Sequence, residues 1–451
     1  MAERRVAPKP RAPGRSTSGL VHMVRALRFR NYRLYFTGQS ISLIGAWMTR
    51  LTTSWLVWRL THSPEMLGLV AFIGHVPTLL LAPVAGVWVD RLDRHRLLVV
   101  TQVLAMLQVF TLAGLTLTGW VEVWHVIVLQ LIQGVINAFD MPTRQALLVD
   151  LVDDRADLPN AIALNSTMVN GSRLVGPSLA GVLIAWVGEG WCFFLDGLSY
   201  LAVITSLLAM RGLVRRPARK SHRVLHELVD GFGYVRGSMP IRAILLLLAL
   251  IGFVGMPYAV LLPVIATQVL DGGSDTLGFL MGAMGFGATC GALYLASRHS
   301  VLGLGRLIPL AAATFGASLI GVGLSTSLVL SLGLMVLTGV GFMLHLASSN
   351  TLIQTLVRDD MRGRVMALYA VAFTGMSPFG SLLAGAAATR VGAPLTVLMG
   401  GALCLLGALL FSRKLPELRE KMHPVYVEKG ILPAVANGLG HAATVEQENI
   451  P

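Results

Sequence analysis

Among the ionisable residues that interrupt apolar stretches of this 451-residue chain, four could do chemistry: Arg50, Asp140, Arg144 and His345. A charged side chain at the centre of a hydrocarbon layer costs roughly 2.5 to 3.5 kcal/mol on insertion scales, so residues in such settings mark pathways or sites. A carboxylate such as Asp140 and an imidazole such as His345, facing one cavity, can exchange a proton, because imidazole titrates near neutrality. The alternative is that Asp140 only pairs with Arg144, one helical turn on, and that His345 is a hydrogen-bonded core residue. Arg50 either meets an anionic or polar solute, or pairs with an acid or reaches for the surface. Asp196 and His75 have similar settings and read as structural.

Other chemistry is excluded. The chain has no Gly-x4-Gly-Lys-Ser/Thr loop, no His-Glu-x-x-His pair and no Gly-x-Ser-x-Gly elbow, so ATP-driven transport and the hydrolase chemistries of those motifs do not fit. Three cysteines, Cys192, Cys290 and Cys404, lie far apart in apolar stretches and suit neither a disulfide framework nor a metal cluster. No cofactor and no metal is expected, and the chain does not read as an enzyme.

The elements that position these residues are membrane spans. Hydrophobic residues make up 54% of the chain and charged ones 13%, half the roughly 25% of soluble domains. A crossing helix needs about 20 mostly apolar residues. Met66 to Val89, Leu97 to Val121, Ala243 to Leu270, Thr276 to Ser297, Val365 to Thr389 and Val391 to Ser412 contain no Asp, Glu, Lys or Arg. Leu307 to Val357 is charge-free over 51 residues and divides at Ser325-Thr326-Ser327 into two spans. Leu34 to Leu60, Glu122 to Leu148, Leu158 to Val187 and Trp191 to Gly212 complete an expected twelve.

The net charge of +13 would suggest nucleic acid in a soluble chain, but here it reports orientation. If the N-terminus is cytoplasmic, 31 of the 36 Lys and Arg fall in cytoplasmic segments. The positive-inside rule therefore places both termini in the cytoplasm, and no nucleic-acid partner is expected. The first residues lack the apolar core of a secretory signal. The expected organisation is a basic cytoplasmic tail (1–33), a six-helix half (34–212), a cytoplasmic connection (213–241), a second six-helix half (242–412) and a cytoplasmic tail (413–451).

An internal repeat supports the division. At an offset of 204 residues Ile162-Ala163-Leu164 aligns with Met366-Ala367-Leu368, Ala180-Gly181 with Ala384-Gly385, and Val187-Gly188 with Val391-Gly392. Span five thus corresponds to span eleven, and at offset 205 Asp140 corresponds to His345. A parallel six-plus-six repeat places a solute site near the midplane between halves that rock to give alternating access.

Two local patterns carry a family resemblance. Between spans two and three stands Gly86-Val87-Trp88-Val89-Asp90-Arg91-Leu92-Asp93-Arg94-His95-Arg96, an acid ending a helix before a tight basic loop. With Gly86, Asp90, Arg91 and Arg94 at matching positions it resembles the signature loop of the major facilitator superfamily, in the form found in the branch of enterobactin exporters and macrolide-efflux-type proteins. Asp93 stands where a glycine is usual, and His95 where a basic residue is expected. The second pattern, Gly171-Ser172-Arg173-Leu174-Val175-Gly176-Pro177-Ser178-Leu179-Ala180-Gly181, resembles the antiporter motif of exporting members, with Gly171, Gly176, Pro177 and Gly181 as its marked positions. Packing alone also explains small residues and a proline on one helix.

The resemblance implies an all-α integral membrane fold of twelve helices in two pseudo-symmetric halves. It also implies that Asp90 and Arg94, with Asp150 at the inner end of span four, latch one conformational state. The expected function is secondary active export of an amphipathic or siderophore-like small molecule across the cytoplasmic membrane, by proton antiport and alternating access. Its expected partners are the solute, protons and the lipid bilayer, and the expected state is a monomer. The alternatives are an importer or lysophospholipid flippase of the same fold, or a membrane receptor that moves nothing.

Overall fold

The computed structural model of the chain describes residues 25–152, 157–212, 224–298 and 300–431. The first span is α1 (Arg30–Thr61), followed by α2 (Pro64–Arg91), α3 (Arg94–Leu117), α4 (Val123–Asp150), α5 (Leu158–Val187) and α6 (Glu189–Leu208). A short connecting helix, α7 (Val224–Gly237), leads to α8 (Met239–Gln268), α9 (Ser274–Ala296) and α10 (Leu304–Leu324). The last three are α11 (Leu328–Leu356), α12 (Arg362–Val391) and α13 (Ala393–Glu428). No strand occurs among the described residues. Helices are what lipid demands, since each satisfies its backbone polar groups internally.

Eleven of these helices are long and apolar enough to cross a membrane. The remaining long helix, α1, has 32 residues but carries Arg30, Arg33, Arg50 and Arg59, which lower its hydropathy. With it the described residues hold twelve long helices, which fits the expected twelve-helix fold.

Local chemistry sets the boundaries. Ser63 caps α2 through its hydroxyl, which accepts from the Met66 amide at 3.4 Å, and Pro64 occupies the first turn. Glu122 and His125 form a reciprocal box at the start of α4. Ser325 to Ser327 turns the chain between α10 and α11, where Ser331 donates to Ser325 at 3.0 Å. The α5–α6 and α12–α13 corners are made by Gly188 (φ +84°) and Gly392 (φ +88°), left-handed positions that favour glycine. These two are the residues aligned by the 204-residue repeat.

The C-terminal region departs from the sequence expectation. Residues 413–428, read as tail, continue α13, because Leu418, Met422 and Tyr426 recur at helical spacing and are buried. Leu415 and Met422 face Gly305 of α10, and the Lys429 ammonium donates to the Val357 carbonyl at 3.2 Å. The connection contains α7, the side chains of 224–229 and all of 213–223 lying outside the described residues.

The two halves meet where glycines let backbones touch. On α5 and α9, Gly181 and Gly278 face each other so closely that a Cβ on either would stand 2.8 Å from the other's Cα. On α2 and α12, Gly68 and Gly385 are similarly opposed, and Phe72 meets Phe379 edge-on at 5.5 Å. All these residues lie towards the face opposite the two chain ends. An added Cβ would meet nothing within 4 Å at Gly86, near the terminal end of α2, or at Gly171, midway along α5, although Gly285 of α9 still approaches the Leu174 Cα so closely that a Cβ there would stand 2.8 Å away. The close glycine contacts between the halves thus run from the face opposite the chain ends to about mid-helix.

Overpacking a close contact costs about 1 to 3 kcal/mol, while replacing an unhindered helical glycine removes backbone entropy at no steric cost. Gly181→Leu is accordingly expected to lower the thermal midpoint of the detergent-purified protein by several degrees, and Gly171→Leu to leave it within a degree. Equal effects of the two in a thermal-shift assay would contradict this packing.

Candidate substrate and coupling site

Asp140 lies in the interior of the first half, 5% exposed, and collects three helices around it. It accepts from Gln102 of α3 at 2.5 Å and Thr101 of α3 at 3.1 Å, and forms an ion pair with Arg144 one turn along α4. Tyr35 of α1 and Tyr200 of α6 lie within electrostatic reach of the same pair. A desolvated ion pair that also takes neutral donors is the arrangement in which a buried charge is tolerated.

His345 is 1% exposed in the second half and packs against α10, its Nδ1 3.4 Å from the Ile308 carbonyl. Its Nε2 has no partner among the described residues. No hydrogen bond or ion pair among the described residues links His345 to Asp140. The two repeat-related positions thus keep their polar contacts within their own halves. Asp196 of α6 is 1% exposed and accepts from Thr49 at 2.6 Å and Ser199 at 3.0 Å, without a cationic partner among the described residues. His75 is exposed, with Nδ1 2.9 Å from the Ala71 carbonyl.

A different group of side chains gathers between the halves. The Arg50 guanidinium lies over the Trp47 ring at 4.7 Å, and Arg173 of α5 lies over the same ring at 5.1 Å. Arg173 also stands 5.8 Å from the ring of Phe342 on α11, in the other half. Phe342 in turn contacts Phe373 at 5.8 Å, inside a π-helical turn of α12, Val371–Gly375. Such turns recur at functional sites.

The second sequence pattern builds part of this cluster. Gly176 faces Trp47 and the Ile44 carbonyl so closely that a Cβ there would stand 2.6 Å from the Trp47 Cβ, and its absence lets α5 seat against α1. The Pro177 carbonyl faces Gly278 of α9, beside Gly181. Gly171 makes no such approach. Arg173 escaped the sequence reading as a site residue because it sits inside a glycine pattern that draws attention to packing. The available signal was a cation one turn before Gly176 in a span with no acid to pair with.

The loop between α2 and α3 ties the terminal ends of the first half. Arg94 donates to Asp150 at 2.8 Å, joining the start of α3 to the end of α4. Asp93, in place of the usual glycine, caps α3 by accepting from the Arg96 amide at 3.0 Å. His95 reaches the Leu207 carbonyl at 2.8 Å, and Arg91 is exposed. Gly86 is on α2 with open space beside it. The Asp90 side chain lies outside the described residues.

Comparison with known proteins agrees with this architecture. The chain is 28% identical to the staphyloferrin A transporter of Staphylococcus aureus over 78% of its length and 88% of that protein's. It is 25% identical to the enterobactin exporter EntS of Escherichia coli, covering 84% and 90% of the two chains, and 22% identical to macrolide efflux protein A of Streptococcus pyogenes, covering 84% and 95%. In fold it is similar to the crystal structure of a bacterial homologue of the iron transporter ferroportin in its inward-facing state, with TM-score 0.66 at 16% identity, covering 86% and 98%. Residues 23–436 match the family described as transmembrane secretion effector. The chain belongs to that family of the major facilitator superfamily, and is a multi-pass membrane transporter of small molecules rather than an enzyme.

Proposed function

We propose that the protein exports an amphipathic or siderophore-like small molecule across the cytoplasmic membrane by proton antiport, its halves alternating access to a midplane site. The observation that carries this reading is the packing of α2 on α12 and α5 on α9 through glycines from the face opposite the chain ends to mid-helix, with no such approach at Gly86 near the terminal end of α2. Joints of that kind, gripping one end of a site built from both halves, suit a rocking motion. Export is favoured by the glycine–proline pattern of α5 and by two relatives whose names say exporter and efflux protein.

Orientation follows from charge. Among the described residues the terminal face carries Arg25, Arg28, Arg91, Arg94, Arg298, Arg358, Arg362 and Lys421, while Arg59 and Arg390 mark the opposite face. We place the terminal face, both termini and the α7 connection in the cytoplasm, keeping the partition into halves at 34–212 and 242–412. The solute then enters from the cytoplasmic end, and one chain suffices as the working unit.

Coupling is assigned to Asp140. A proton on this carboxylate cancels its charge, releases Arg144 on the same helix and weakens the hydrogen bonds that Gln102 and Thr101 of α3 donate to it, loosening α4 from α3. His345, held in the second half, is the repeat-related group that can take part through its Nε2, which has no partner among the described residues. The Arg94–Asp150 pair ties the cytoplasmic ends of α3 and α4, and we assign Asp90 to the same latch on the signature-loop resemblance, so that this latch sets the rate of the rocking step.

Inverted membrane vesicles test the reading, because their lumen corresponds to the outside. An acid lumen is expected to drive accumulation of labelled amphipathic solutes, and collapsing the gradient to stop it. Accumulation in right-side-out vesicles instead would establish import, and redistribution between leaflets a flippase. No movement of any solute would favour a receptor. Asp140→Asn is expected to reduce gradient-driven uptake at least tenfold with the protein still folded and inserted; an unchanged pH dependence would remove Asp140 from the coupling. Asp90→Asn is expected to slow turnover severalfold while solute binding persists, and wild-type turnover would sink the latch.

A further inference from the structure

Arg50 and Arg173 are cations deep in the membrane for which no carboxylate, hydroxyl or carbonyl partner occurs among the described residues. At a rise of about 1.5 Å per residue, Arg50 lies about 16 Å below the end of α1 at Thr61, and Arg173 about 21 Å below the end of α5 at Val187. Both guanidinium groups lie over one indole, at 4.7 and 5.1 Å, so they are near neighbours that repel. Arg173 Nε is sealed from solvent with no acceptor. Other arginines show how this chain treats charge elsewhere: Arg59 pairs with Glu189 at 2.6 Å, Arg94 with Asp150 at 2.8 Å, and Arg144 with Asp140. An indole face attracts a cation but does not neutralise two. The cluster is therefore short of negative charge at the place where the halves meet.

We propose that Arg50 and Arg173 bind the transported solute through its anionic groups, and that this solute is a free polyanion with at least two carboxylates or equivalent oxyanions on an apolar or aromatic body. Guanidinium groups match carboxylates in a two-pronged geometry. Trp47 and Phe342 supply flat apolar surface for the body of the solute, and Arg173, near both rings, places the bound anion in contact with both halves. The inference rests on the transport reading and gives it a substrate class. It also adds a driving force, since an inside-negative potential pushes an anion outward.

The test uses the full chain in phosphatidylcholine nanodiscs, titrated calorimetrically with di- and tricarboxylates of graded spacing and with their uncharged amides. At least one polycarboxylate is expected to bind tenfold or more tightly than its amide, and Arg50→Gln and Arg173→Gln each to weaken it at least tenfold. Amides that bind equally well, no binding of any polycarboxylate, or wild-type affinity in the Gln variants would overturn the proposal. Should a Gln variant fail to insert, the Lys variant is read instead; it keeps the charge but loses the fork, and unchanged affinity would be equally contrary. Adding phosphatidylglycerol is expected not to displace the ligand, and displacement would assign the cations to a lipid headgroup and overturn the free-solute proposal. The outcomes separate from those of the transport reading. Vesicles that move neutral solutes, with no carboxylate binding, would defeat this site alone, whereas carboxylate binding without movement of any solute would defeat transport alone.

Discussion

An ionised side chain in hydrocarbon must find a partner, and this constraint organises the interior of the molecule. The cost of roughly 2.5 to 3.5 kcal/mol per charge on insertion scales is met in three ways. Asp140 and Arg144 satisfy each other, with Gln102 and Thr101 adding donors to the carboxylate. Asp196 is held by the hydroxyls of Thr49 and Ser199. Among the described residues Arg50 and Arg173 have only aromatic faces. The first two arrangements close within one half, whereas the third lies between the halves, where a solute can supply what the protein does not.

Helix packing gives that interior its access. Apolar side chains on neighbouring membrane helices gain little from avoiding lipid, so association depends on close fit, and small residues permit it. The Gly181–Gly278 and Gly68–Gly385 approaches concentrate that fit near one face. Gly176 belongs to the same helix but does something else, seating Trp47 beneath the two arginines. One glycine–proline pattern on α5 thus serves both the joint between the halves and the shape of the site.

Much of this was legible in the sequence, and what was not has physical reasons. Span positions follow from charge-free runs of about the length of a bilayer, and the Ser325-Thr326-Ser327 turn and the paired corners at Gly188 and Gly392 need only local backbone chemistry. The pairing of Asp140 with Arg144 was readable as a one-turn spacing. Arg173 was visible within the glycine–proline pattern of its span, but its company was not, because Trp47 and Phe342 come from elements more than a hundred residues away on either side. The continuation of α13 through Glu428 was missed because its charges, among them Glu417 and Lys421, suggest a tail. Its Leu418, Met422 and Tyr426 stripe pays no such penalty when it packs along the end of the bundle.

The central claim, that the halves rock about a midplane site, is tested most directly by distances between spin labels placed in pairs. One pair, at positions 65 and 390, spans α2 and α12 at the opposite face, and the other, at positions 91 and 363, spans the same helices at the terminal face. All four residues are exposed. Pulsed electron resonance in nanodiscs, with and without transported solute and across pH, is predicted to show reciprocal change, one pair lengthening as the other shortens. Distances that stay fixed, or that change in the same direction at both faces, would contradict alternating access.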